Sequence, residues 1–65
     1  MASQRYRIVV AGRLSERLGS AFRDVTLERR RGLTVLRGEG QAHLDSVLAR
    51  LGNLGIEPLE VEQND

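Results

Sequence analysis

Along these 65 residues the apolar side chains change period four times, from every second position to every third or fourth and back. This switching limits the fold more than any motif, because period two lines one face of a strand and a period near 3.6 lines one face of a helix. Arg5 to Ala11 alternates, with Tyr6, Ile8 and Val10 on one face, and its Ile8-Val9-Val10 run is β-branched. Ser15 stands where an N-cap would, with Glu16 in the first turn, and Leu14, Leu18, Ala21 and Phe22 follow at helical spacing. Gly19 weakens that short helix. Asp24 to Arg30 alternates again, and Leu33 to Arg37 returns across Arg31-Gly32, where Gly32 supplies the positive φ of a tight hairpin. Gly38-Glu39-Gly40 reads as a loop. From Gln41 onward Leu44, Val47, Leu48, Leu51 and Leu54 form the clearest helical stripe, which Gly52 or Gly55 closes with Ile56 in contact. Glu57 to Glu62 reads as a last strand, Leu59 and Val61 inward, with Pro58 confining it to a sheet edge or standing at its start.

The order strand, helix, strand, strand, helix, strand predicts an α+β class, a ferredoxin-like βαββαβ two-layer sandwich. Its four-stranded antiparallel sheet has strand order 4-1-3-2 and carries both helices on one face. The expected domain is residues 5–62, with residues 1–4 and 63–65 as flexible termini. Ten Leu, six Val and two Ile suffice for a small aliphatic core, and with no cysteine that core must be held by packing or oligomerisation. No run is long and apolar enough for a membrane span or a signal peptide, so the expected location is cytoplasmic. Residues 1–31 carry eight Arg against Glu16, Asp24 and Glu28, and residues 32–65 carry Arg37 and Arg50 against six acids. In this topology the first and last strands are neighbours, which sets Arg5 and Arg7 near Glu60 and Glu62.

The sheet face away from the helices normally turns polar. Here Val9 and Ala11 oppose Tyr6, Ile8 and Val10, and in the third strand Leu33 and Val35 oppose Thr34 and Leu36. With Leu33 and Val35 assigned inward, Leu36 joins Val9 and Ala11 on the open face, bordered by Arg5 and Arg7. An apolar centre with a charged rim has the outline of an association surface. The leading expectation is therefore a non-enzymatic interaction domain that homodimerises or docks a protein partner through Val9, Ala11 and Leu36. The alternative is a small-molecule sensor in which Arg5 or Arg7 holds an anionic metabolite.

The residues offer little chemistry. His43 has no partner histidine or cysteine, so no metal site is expected, and it flanks the apolar stripe as a surface or boundary residue. Gly38-Glu39-Gly40 lacks the third glycine and the Lys-Ser/Thr of a phosphate loop, and no cofactor is expected. Arg29, Arg30 and Arg31 form the one dense basic cluster, the candidate phosphate contact at the hairpin tip. Nucleic-acid binding is disfavoured, because Tyr6 and Phe22, the only aromatics, are both assigned to the core rather than to a base-stacking surface.

The run Tyr6 to Ser15, Phe22, Gly32 to Gly38, Gln41-Ala42 with Leu44 and Val47-Leu48, and Leu54-Gly55-Ile56 resembles a family of short uncharacterised proteins common in actinobacteria and other bacteria. The resemblance spans nearly the whole chain and implies a free-standing cytoplasmic domain, with no activity or site residues attached. In that family a His follows the residue matching Leu44, where this chain has Asp45, and a Gly stands where it has Ser46. A more distant likeness, to regulatory ligand-binding and dimeric monooxygenase families on the same sheet, rests on fold alone and transfers no function.

Overall fold

A computed structural model describes residues 4–64. The elements are β1 (Arg5–Ala11), a one-turn helix α1 (Glu16–Gly19) continued by a 3₁₀ turn (Ser20–Phe22), β2 (Thr26–Arg30), β3 (Leu33–Glu39), α2 (Gln41–Asn53) and β4 (Pro58–Asn64). The strands form one antiparallel sheet in the order β2-β3-β1-β4. Of the expected flexible termini, residues 1–3 and 65 lie outside the described part. Gln63 and Asn64 belong to β4, and the Gln4 carbonyl accepts from the Gly40 amide at 2.7 Å.

Local signals set most boundaries. The Ser15 hydroxyl accepts from the Leu18 amide at 3.3 Å, the bond that an N-cap provides. With Gly19 in its only turn, α1 tightens at once into the 3₁₀ turn. At the far end of α2, the Ile56 amide reaches the Leu51 carbonyl at 2.9 Å and the Gly55 amide reaches Gly52 at 3.1 Å, the bond pair of a Schellman stop. The β2–β3 hairpin turns through Arg31 (φ 44°) and Gly32 (φ 78°), so both central residues are left-handed, as a type I′ turn requires. Pro58 opens the edge strand β4, where its missing amide breaks no ladder. Gly38 and Glu39, read from the sequence as loop, extend β3 instead, paired with Tyr6 and Arg5.

The core packs Tyr6, Ile8 and Val10 of β1 and Leu36 of β3 against Leu44, Val47 and Leu51 of α2, with Leu14, Phe22 and Val25 closing the other end. This corrects the assignment of Leu36. It sits opposite Ile8 and is fully buried on the helix side, while Val35 sits opposite Val9 on the open face with Leu33 two positions away. The deciding residue is Thr34, whose buried hydroxyl donates to the Gly12 carbonyl at 2.9 Å and accepts from the Leu14 amide at 3.4 Å. A hydroxyl satisfied by the β1–α1 connection can be buried without a penalty, and β3 then presents Thr34 and Leu36 inward.

Leu59 and Val61 also differ from expectation. Val61 stands opposite Ile8 and so points to the helix side, yet it is 45% exposed and Leu59 is 63% exposed. All seven residues of β4 are exposed. A single-turn α1 beside one longer helix leaves the helix layer too narrow to cover that edge of the sheet.

Candidate functional site

Two polar constellations lie on opposite faces of the sheet. On the helix side a chain of side chains runs from the core outward. The buried Tyr6 hydroxyl lies 2.8 Å from His43 Nδ1, and His43 Nε2 lies 2.7 Å from Asp24 Oδ2. Arg50 grips Asp24 with both terminal nitrogens, at 2.8 and 2.9 Å, and also donates to the Ala21 carbonyl at 2.9 Å. The Nε2–H tautomer of His43 satisfies this chain, accepting the Tyr6 O–H hydrogen bond at Nδ1 and donating Nε2–H to the carboxylate. The Arg50 guanidinium, and after it His43, hold the Asp24 carboxyl well below the usual carboxylate range. Burial, seconded by the Asp24 charge, raises the Tyr6 phenol.

The order hydroxyl, imidazole, carboxylate is that of a nucleophilic relay, but Tyr6 is 3% exposed, so no substrate reaches its oxygen. What the chain does is mechanical: it ties β1, α2 and the turn before β2 together. His43, expected as an isolated boundary residue, is half-buried at the centre of it. Nothing local in the sequence marks these partners, since Tyr6 and His43 are 37 positions apart.

The second constellation is on the open face. Val9 and Val35 lie at its centre, but they are only 9% and 6% exposed. Charged side chains surround them: Arg7 Nη2 reaches Glu60 at 3.0 Å and Glu62 at 3.3 Å, and Glu28 pairs with Arg30 and, at 3.6 Å, with Arg37. Ala11 is exposed, and Arg5 turns to Glu39 at 3.8 Å rather than to β4. Of the expected contact residues Val9, Ala11, Leu36, Arg5 and Arg7, all but Leu36 share this face. At the β4-terminal end of the face Arg5, Arg7, Thr26, Arg37, Glu39 and Glu62 line a groove of about 580 Å³.

The chain's family follows from its sequence match. Residues 5–62 match the model of a family described as a domain of unknown function, DUF8691. The chain belongs to that family. No curated protein and no solved structure matches it. The expected basic cluster is dispersed in this DUF8691 domain. Arg29 is on the helix side, donating to the Leu14 carbonyl at 3.2 Å; Arg30 is on the open face beside Glu28; and Arg31 occupies the hairpin turn. Among the described residues no group of three His, Cys, Asp or Glu side chains is placed to hold a metal ion, and no helix is long and apolar enough to cross a membrane.

Proposed function

We propose that this domain is a non-enzymatic assembly module, a ferredoxin-like βαββαβ unit that pairs with a second copy of itself along β4. The observation that carries the reading is the bare apolar side chains of β4, with Leu59 63% and Val61 45% exposed. Burying an exposed Leu or Val side chain contributes roughly 1.5–3 kcal/mol when complete. β4 is also a free edge with a row of unpaired backbone groups and no Lys, Arg or interior Pro to blunt it. The other edge, β2, ends in Arg29-Arg30-Arg31.

A second copy is the occupant that fits. Two β4 strands related by a two-fold axis pair antiparallel and set the Leu59–Val61 patch of one copy against that of the other, an isologous contact. Glu60 and Glu62, on the opposite face, share an ion pair with Arg7, which lessens the repulsion to such pairing. On the open face, Val9 and Val35 have little apolar area left to offer, which favours β4 over the contact expected there.

Sedimentation equilibrium tests the reading across about 10 µM to about 1 mM, a range that captures weak association. The wild type is expected to move from a 7.2 kDa species towards twice that mass, and Val61→Glu to stay monomeric with an unchanged circular dichroism spectrum. A wild type that is monomeric throughout, or a folded Val61→Glu that associates equally well, overturns it.

A further inference from the structure

We infer that the groove at the β4-terminal end of the open face is a binding site for the carboxylate group of a small organic acid. It lies on the face of the sheet opposite Val61.

The sheet register brings Arg7 and Arg37 directly opposite each other on adjacent strands. Like charges so placed repel, and sheets normally avoid the arrangement. Here each arginine is drawn aside by a glutamate: Arg7 by Glu60 and Glu62, Arg37 by Glu28 at 3.6 Å. The compensation is incomplete. Arg7 Nε is buried without a hydrogen-bond partner, and the Arg37 side chain is 48% exposed, held by that one long ion pair. Arg5, 78% exposed and paired only at 3.8 Å, stands one row away on the same face.

The groove of about 580 Å³ lies over this pair of guanidinium groups. Three arginines stand against Glu39 and Glu62 at its lining, with Glu60 and Glu28 paired to Arg7 and Arg37 beside it. That balance suits a monoanion better than a phosphate dianion, which the flanking glutamates would repel. A planar carboxylate also matches the guanidinium fork, accepting two parallel N–H bonds from one arginine while its charge offsets the second. The Thr26 hydroxyl, opposite Arg37, supplies a further donor on the β2 side.

The test follows the arginine Nε–Hε signals of ¹⁵N-labelled protein during titration with sodium acetate, against sodium chloride at equal ionic strength. Saturable shifts at Arg7 and Arg37 are expected with acetate, at an apparent affinity at least about tenfold above that for chloride. Arg37→Gln, which keeps an exposed polar side chain, should lose the acetate response at Arg7. Arg30→Gln, which removes a charge from the same face outside the groove, should retain it. Equal responses to acetate and chloride, an unaffected Arg37→Gln, or an equal loss in Arg30→Gln each overturn the assignment. So does tighter binding of inorganic phosphate than of acetate.

Discussion

Replacing Gly38 by alanine sets two physical rules against each other. A glycine in a strand interior is normally a weakness, and its replacement by alanine stabilises by roughly 0.5–1 kcal/mol. Gly38 lies opposite Tyr6, however, and a Cβ placed there would stand 2.6 Å from Cζ and 2.9 Å from Cε2 of that ring, and closer still to the hydroxyl. The ring fills the space that the missing side chain leaves. It cannot swing away freely, because Tyr6 is 3% exposed within the core and its hydroxyl is 2.8 Å from His43. Losing that hydrogen bond costs about 1 kcal/mol. Forcing a methyl group into packed surroundings costs about 1–3 kcal/mol more. Net of the roughly 0.5–1 kcal/mol that alanine gains, Gly38→Ala should therefore destabilise by about 1–3.5 kcal/mol, and in a domain this small the melting temperature should fall by at least about 4 °C. Thermal unfolding followed by circular dichroism measures this in the wild type, Gly38→Ala, Tyr6→Leu and the double variant. The clash requires the two changes to be non-additive, with alanine tolerated once the ring is gone. A Gly38→Ala protein that melts at or above the wild-type temperature refutes the reasoning. An equal loss in both backgrounds does the same.

Three further outcomes are expected. Arg31→Asn should raise stability by roughly 1 kcal/mol in urea unfolding, because asparagine tolerates the left-handed conformation that Arg31 adopts at φ 44°. Thr34→Val should cost about 1–3 kcal/mol by the same measurement, since it strands the buried Leu14 amide and takes the donor from the part-buried Gly12 carbonyl. The ion pairs of Asp24 depress its carboxyl pKa in the folded chain, so the stability they contribute is fully present above the ordinary value of 3.8 and is lost as the pH falls towards the folded value. Asp24→Asn should accordingly lie below the wild type in urea midpoint at pH 7, and the gap should narrow progressively from about pH 4 to pH 2. A gap that stays constant across that range shows that the ion pairs contribute nothing to folding.

Whatever depends on neighbouring residues was legible from the chain alone. Ser15 starts α1 because its hydroxyl needs only the amide of Leu18, and Gly55 and Ile56 stop α2 through bonds within six residues. Arg31-Gly32 turns the hairpin, Pro58 marks an edge strand, and the 3.6-residue stripe from Leu44 onward places α2. The element order is legible for the same reason. It rests on periodicity, which is a local property.

The facing of β3 is not local, because Leu33-Thr34-Val35-Leu36 offers an apolar residue to either side. Only its pairing with β1, Ile8 against Leu36, and the burial of the Thr34 hydroxyl against Gly12 and Leu14 selected the inward face. The polar chain from Tyr6 through His43 and Asp24 to Arg50 likewise joins residues that meet only when α2 crosses the sheet. Alternation correctly sent Val61 to the helix side, opposite Ile8, but its exposure was decided by how far α1 and α2 reach across it. Sequence periodicity states which side of a strand is apolar; whether anything covers that side depends on the size and position of the layer above.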